Sequence, residues 1–241
     1  MSDVESAAKP LTPRARARAQ TIADIVRLGR EHLAKQGAAA LSLRAVARDL
    51  GVVSSAVYRY VESRDELLTL LLVDAYNELG DAVDAALDAC PESDHRARFA
   101  ALAHAVRSWA LREPARYGLL FGSPVPGYQA PAERTTEPGT RVVRALIKVV
   151  DDAYREHGGT PAQTRPPAVG PGLHADFEAI RAQLGSTLSD DALARGTLVW
   201  TALFGTVSFE VFGQYGPETF RANDELFDLH VEHLAGLAGL G

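Results

Sequence analysis

The chain has 241 residues, of which 46% are hydrophobic, and its 25 basic and 31 acidic side chains give a net charge of −6. That length allows a large buried core, and no apolar run approaches the roughly 20 residues that span a bilayer. Since the N-terminus lacks the apolar segment of a secretory signal and Cys90 has no second cysteine to pair with, we expect a cytoplasmic protein that does not contact membranes.

Two helices are predicted at the start of the chain. Thr12 can cap the first helix and Pro13 suits its first position, and apolar side chains then recur at helical spacing until Gly37 ends it. Ser42 opens a short second helix with an apolar inner face, and Gly51 closes it.

A third and a fourth helix follow directly. The third is short and opens at Ser54 or Ser55. Ser63 is followed three residues later by Glu66, which is the pattern of a capping box, so a long helix is predicted over 63–89.

The rest of the chain also shows helical spacing, with Pro/Gly-rich breaks and without the period-2 alternation of strands. Helices are predicted over 93–111, from 114, over 141–154, over 176–184, after a cap at Ser189, and over 224–237. The stretches 122–131 and 157–172 are predicted as loops.

Residues 42–61 form the pattern of a helix-turn-helix motif. With Val57 facing the core, four side chains face outward: Ser54, Ser55, Tyr58 and Arg59. Hydroxyl groups donate to phosphates, and an arginine pairs with guanine in the major groove. Residues 1–66 carry a formal charge of +3 and the remainder −9, which favours a polyanion at this end. Such residues are also common on solvated surfaces, so this pattern alone leaves DNA binding and a plain helix pair open.

The segment LSLRAVARDLGVVSSAVYRYVESRDELL resembles the signature of TetR-type transcriptional repressors. The similar features are a small hydroxyl before the second helix, the A-x-x-x-G-V turn and an aromatic-rich third helix, and the likeness covers about residues 19–73. Three positions depart from the family pattern: Val53 replaces a serine, Val61 a phenylalanine and Arg64 a lysine. Because Val53 has no hydroxyl, we expect Ser54 or Ser55 to cap the third helix.

The resemblance implies a sequence-specific, homodimeric DNA-binding repressor that reads a palindromic operator with a recognition helix over 54–61. The side chains implied in DNA contact are Ser42, Arg44, Ser54, Ser55, Tyr58, Arg59, Tyr60 and Arg64. Arg14, Arg16 and Arg18 form either a basic arm on DNA or a solvated tail.

The stretches RYGLLFGSPVPGYQAP and WTALFG resemble the C-terminal ligand-domain subtype named for its W-H-G motif, with Phe204 in place of the histidine. In this family the last two long helices form a four-helix bundle across a two-fold axis. The predicted interface residues are Leu193, Trp200, Val207, Leu226, His230 and Leu234. Alternatively, both helices complete the core of a single chain.

A pocket for a small apolar or amphipathic effector is predicted among apolar side chains, which are equally suited to an ordinary core. The predicted lining is Phe99, Val106, Trp109, Tyr117, Phe121, Tyr128, Ile147 and Tyr154. No H-E-x-x-H, Walker A or G-x-S-x-G motif is present, so neither catalysis nor a cofactor or metal is expected. A ligand-binding module without DNA binding and a helical-bundle enzyme remain as alternatives.

These elements predict an all-α fold of about nine to ten helices. The expected organisation is a flexible tail over 1–12, a DNA-binding domain over 13–66 and a ligand-binding and dimerisation domain over 67–241.

Overall fold

A computed structural model of the chain describes residues 12–158 and 168–240. These ranges contain eleven α-helices, one short 3-10 turn and no strand, so the all-α class is confirmed. The predicted flexible tail lies outside the described residues, apart from Thr12.

The first four helices begin at the residues that the sequence predicts. Their bounds are α1 Pro13–Gln36, α2 Leu43–Asp49, α3 Ser54–Val57 and α4 Arg64–Asp88. Thr12 Oγ1 accepts from the N–H of Ala15 at 3.2 Å, and Ser63 Oγ accepts from the N–H of Glu66 at 3.0 Å. Both predicted side-chain caps are therefore present. The Glu66 carboxylate accepts from Arg134 at 2.6 Å, which ties α4 to a later helix.

Seven further helices complete the fold. They are α5 His95–Arg112, α6 Pro114–Phe121, α7 Ala132–Gly139, α8 Arg141–His157, α9 Pro171–Leu184, α10 Asp190–Val211 and α11 Asn223–Ala238. Two differ from the prediction. The short α7 was not predicted because its sequence, AERTTEPG, contains a proline and a glycine. Helix α9 begins five residues earlier than expected, because Pro171 occupies a first-turn position where its missing N–H costs nothing.

Two hydrophobic cores meet along α4. The first contains Leu67, Leu68 and Leu71 together with buried side chains of α1, α2 and α3. The second begins at Ala75 and includes α5, α8, α10 and α11. The units predicted as 13–66 and 67–241 therefore share α4, whose first two turns complete the N-terminal core.

A charged cluster also joins α1, α4 and α6. Arg116 has a side chain that is only 2% exposed, and it donates to Glu78 at 2.7 Å and to Asp74 at 2.9 Å. Arg30 of α1 contacts the same two carboxylates. Burial alone would raise the pKa of the Glu78 carboxyl, but the hydrogen bond and charge of Arg116 outweigh it and hold that pKa below its ordinary value.

Within the described residues, α10 is the helix that is long and apolar enough to cross a membrane by length and composition. Three of its residues, Val199, Leu203 and Val207, are nevertheless fully buried in the second core. The helix also packs against α5 and α11. These contacts place one side of α10 in the second core.

Candidate DNA-binding surface and ligand pocket

The helix-turn-helix geometry is built on three fully buried side chains, Val46 and Ala47 of α2 and Val57 of α3. The turn between the helices needs Gly51, whose φ of +73° lies in the left-handed region that favours glycine. The N–H of Val52 donates to the carbonyl of Ala47 at 3.1 Å and closes this turn. The second helix of the motif is thereby held with its outer side in solvent.

The recognition helix is shorter than the predicted span of 54–61. Its α-helical part ends at Val57, and residues 58–60 continue as a turn in which the N–H of Tyr60 donates to Val57 at 2.8 Å. The expectation that Ser54 or Ser55 caps this helix is wrong. Val53 occupies the N-cap and supplies no side-chain bond, while the two serines are the first two helical residues.

Five arginines of this region make no ion pair with any described residue. They are Arg14, Arg16, Arg18, Arg44 and Arg59, whereas most arginines elsewhere in the described ranges contact a carboxylate. Arg18 lies 5.4 Å from the centre of the Tyr60 ring and donates to the carbonyl of Arg59 at 3.5 Å. The start of α1 and the recognition turn therefore form one continuous basic surface, which has the electrostatics of a phosphate-binding face.

Arg64 does not belong to this free basic set. Its guanidinium donates to the carbonyl oxygens of Ala38 and Ala39 at 2.9 and 3.3 Å, in the 3-10 turn that follows α1. Both bonds come from Nη2, and Nη1 lies 3.7 Å from the Asp65 carboxylate. The phosphate contact that the resemblance implies for Arg64 stays a prediction. Ser42 occupies the N-cap of α2 as predicted, although its side chain makes no capping bond.

The eight residues predicted to line an effector pocket lie in different surroundings within the described part of the chain. Phe99, Val106, Trp109 and Tyr117 are fully buried in the second core. Phe121 packs on Tyr117 and Phe204, the Tyr128 hydroxyl bonds to Thr69 at 2.9 Å, and the Tyr154 hydroxyl accepts from Arg195 at 2.7 Å. Ile147 is the one of the eight that lines the cavity described next, and the effector contacts of the other seven stay a prediction.

That cavity lies between α8, α9 and α10 and has a volume of about 290 Å³. Its apolar walls include Val143, Ile147, Ile180, Leu184, Leu193 and Trp200, and its polar groups are Thr140, Gln183 and Thr197. No charged side chain lines it. The sequence prediction missed most of these residues because the cavity forms where α8, α9 and α10 pack together, and the spacing of residues within one helix does not reveal that packing.

The predicted dimer residues divide into two groups. Leu193, Val207 and Leu234 are buried within their own chain, and the half-buried Trp200 lines the cavity together with Leu193. Leu226 and His230 are half-buried on the outer side of α11. The exposed apolar side chains on α10, directly after it and on α11 include Leu198, Phe209, Phe212 and Leu229, which the sequence prediction did not include.

One group of potential metal ligands comes together in the described part of the chain, namely His95, Glu156 and His157. The His95 ring already bonds to the Glu156 carboxylate at 2.9 Å, which accounts for its position. The two histidines of α11, His230 and His233, are not part of it. The expected absence of metals and cofactors stays a prediction.

Comparison with known proteins gives the same assignment for both halves of the chain. Residues 25–71 match the family of bacterial regulatory proteins called the tetR family, and residues 99–234 match the family described as tetracyclin repressor-like, C-terminal domain. The HTH-type transcriptional regulator Rv1816 of Mycobacterium tuberculosis is 47% identical over 221 residues, which covers 92% of this chain and 93% of the relative.

Solved structures agree at the level of the fold. The regulatory protein SCO4313 is 34% identical, with a TM-score of 0.74 over 93% of this chain and all of the other. The fatty acid degradation regulator FadR of Bacillus halodurans is 10% identical, with a TM-score of 0.58 over 87% of this chain and 97% of the other, and shares the fold alone.

Proposed function

Because the chain belongs to the TetR family of transcriptional regulators, we propose that it acts in the cytoplasm as a homodimeric repressor that binds a palindromic operator and releases it when a small apolar effector binds. The family makes it a DNA-binding regulator and not an enzyme. The dimer, the symmetry of the operator and the effector are the proposed parts. The observation that supports them is that the described residues combine three features: a basic reading surface, an open apolar face on α10 and α11, and a cavity without charged side chains.

The basic surface supports contact with operator DNA. Arg44 and Arg59 are exposed and unpaired on α2 and directly after α3, so neither has to break an ion pair within the described residues before it meets a phosphate or a base. Tyr58 is also exposed, and a tyrosine hydroxyl donates to phosphate oxygens. Ser54 and Ser55 carry small hydroxyls at the start of α3, where the backbone must approach the DNA closely.

The outer side of α10 supports a two-fold interface. Leu198, Gly205, Phe209 and Phe212 recur at helical spacing, and the three large side chains are exposed. Glycine lowers helix stability in the middle of a helix, and a Cβ atom at Gly205 would meet nothing within 4 Å in its own chain. The single chain therefore does not require glycine at this position, whereas the close approach of a helix from a second copy would.

The adjoining side of α11 extends the same face, with Leu226, Leu229, His233 and Leu237 at helical spacing. Since α10 and α11 pack against each other, a second copy related by a two-fold axis would bury both stripes in a four-helix bundle. An isologous dimer of this kind presents its two reading surfaces symmetrically, which requires an inverted repeat in the operator.

The cavity between α8, α9 and α10 supports an uncharged, largely apolar effector. Its volume of about 290 Å³ is near the lower end of the range for small-molecule sites. An ionised ligand would lose its hydration without a counter-charge there, because the only polar groups in the lining are those of Thr140, Gln183 and Thr197. A small aromatic or aliphatic alcohol fits this lining.

The experiment is selection of bound fragments from random duplex DNA by the purified protein, followed by measurement of the mass of the complex. We expect an inverted repeat with half-site centres about 34–36 Å apart, or a multiple, occupied by two copies of the chain. A site without two-fold symmetry, occupied by one copy, would contradict the proposed dimer and leave the family assignment unchanged.

A further inference from the structure

Val53 is the most exposed large hydrophobic side chain among the described residues, at 71%. It occupies the N-cap of α3, a position where serine, threonine, aspartate and asparagine are preferred because their oxygens accept from the first free N–H groups of the helix. Val53 makes no such bond, and the side chain is not packed in the core either. Valine at this position therefore adds nothing to the fold, either as a cap or by burial.

The position of Val53 at the start of the recognition helix suits this side chain for contact with DNA bases. The N–H of Ala56 donates to the carbonyl of Val53 at 2.9 Å, so the residue begins the first turn of the recognition helix. In a docked helix-turn-helix it is this N-terminal end of the second helix that meets the edges of the bases. Its exposed neighbours Tyr58 and Arg59 lie on the same short element and make no ion pair or side-chain bond with the described residues, which leaves the reading surface free to receive DNA.

The partner follows from the chemistry of the major groove. Donors and acceptors line its floor, and the 5-methyl group of thymine is the one apolar group that a base presents there. A branched side chain with two methyl groups cannot hydrogen-bond, so it distinguishes bases through that methyl group. The adjacent side chains, Ser54 and Ser55, offer hydroxyls instead.

We propose that Val53 contacts the 5-methyl group of one thymine in each operator half-site and is a specificity-determining residue of this regulator. The inference rests on the assignment of the chain as a DNA-binding regulator. It adds that one position of each half-site must be a thymine, or another base that carries a methyl group at the same place.

The test replaces each thymine of the selected operator, one symmetric pair at a time, with deoxyuridine. This change removes only the methyl group and keeps the base pair and its hydrogen-bonding groups. For the unmodified protein we expect one pair of positions at which the substitution weakens binding, by about fourfold for each half-site if one methyl group is buried. Val53→Ser should bind the thymine and uracil duplexes equally.

Two further variants make the result decisive. Val52→Ser is the matched control, because Val52 is the neighbouring exposed valine, at 41%, and it should keep the thymine preference. Val53→Ser supplies a capping hydroxyl, so its melting temperature should rise, which shows that the variant is folded. Val53→Ala should lose the preference without gaining the cap.

Two results would overturn the proposal. One is an unchanged ratio of thymine to uracil affinity in Val53→Ser and Val53→Ala, and the other is loss of that ratio in Val52→Ser instead. In both cases the protein still binds the operator, so the proposed function survives. A protein that selects no duplex at all would remove the DNA-binding assignment and the Val53 contact together.

Discussion

Arg59 is the residue on which base recognition is predicted to depend most. It is exposed beside Tyr58 and has no ion-pair partner among the described residues, so its guanidinium fork is free to meet the O6 and N7 atoms of a guanine. We expect Arg59→Ala to weaken operator binding by about 1–3 kcal/mol and to relax the preference at one position of each half-site.

The matched control for this prediction is Arg112→Ala. Arg112 is also an exposed arginine without an ion pair among the described residues, but it lies at the end of α5. Removing it changes the net charge equally and should leave operator affinity unchanged at the same salt concentration. Equal losses in the two variants would mean that Arg59 acts through overall charge and reads no base.

A second residue-scale prediction concerns acid stability through Glu78. Because the pKa of Glu78 is lower in the folded chain, the folded state binds fewer protons than the unfolded state at pH values between the folded and the unfolded pKa. The contribution of Glu78 to stability is therefore present above the ordinary carboxyl range of about pH 4 and is lost as the pH falls through the folded pKa. Glu78→Gln should lower the melting temperature at neutral pH, because it removes a partner from the buried Arg116, and the difference should narrow in acid.

Glu137→Gln serves as the control for Glu78→Gln, since Glu137 is exposed and makes no ion pair with described residues. Melting curves of both variants between neutral pH and pH 3 give the comparison. A Glu78→Gln curve that runs parallel to that of the unmodified protein over this whole range would contradict the assigned role.

At the scale of single helices, the open face of α10 and α11 gives a prediction about assembly. Leu229 is 53% exposed in this face, so Leu229→Asp should leave the single chain folded and place an unpaired charge in the proposed seam, which gives monomers. Val52→Asp is the control, because Val52 is 41% exposed in the turn between α2 and α3. Light scattering measures both, and a Leu229→Asp protein that keeps the mass of a dimer would place the interface elsewhere.

The same helices show which parts of the fold are predictable from sequence. The starts at Thr12, Ser63 and Ser189 are local, because a side-chain oxygen and an N–H three residues later decide them, and all three caps form. Which side of α10 is buried is not decided locally, because it depends on the helices that pack against it. The stripe predicted as the interface, which includes Leu193 and Val207, is buried within the chain. The stripe through Leu198 is exposed because α5, α8 and α11 pack against other sides of α10.

The functional sites divide in the same way. The recognition surface could be predicted, because it lies within about twenty consecutive residues whose spacing matches a known signature. The cavity could not, since its walls come from three helices and the aromatic side chains that seemed suited to it, such as Trp109 and Tyr117, fill the core instead. The bonds of Arg64 to the carbonyl oxygens of Ala38 and Ala39 could not be predicted either, because those residues lie 26 and 25 positions earlier in the chain.

At the scale of the whole molecule, a series of contacts leads from the cavity to α1, the helix whose first turns carry Arg14, Arg16 and Arg18. Thr140 lines the cavity, and its neighbour Arg141 donates to the carbonyl of Asn77 on α4 at 3.1 Å. A Cβ at Gly80 would lie 2.6 Å from the Arg141 guanidinium, so the absence of a side chain there lets α8 approach α4. From α4 the ion pairs of Asp74 lead to Arg30 of α1 and to Arg116 of α6.

This arrangement predicts a reciprocal coupling between effector and operator. A ligand releases DNA only if it binds the DNA-incompetent state more tightly, and operator DNA must then weaken ligand binding by the same factor, typically about 5–150-fold.

With 1-naphthol as an uncharged aromatic probe, binding is followed by the fluorescence of Trp200 in the cavity wall, with and without saturating operator. Gly196→Leu should abolish both probe binding and release while keeping operator affinity, because a Cβ at Gly196 meets nothing within 4 Å and the longer side chain would fill the cavity. Gly196→Ala, which leaves most of the volume, is the control and should stay responsive. Equal probe affinities with and without operator would separate the cavity from DNA release, and a Gly196→Leu protein that still responds would place the effector site elsewhere.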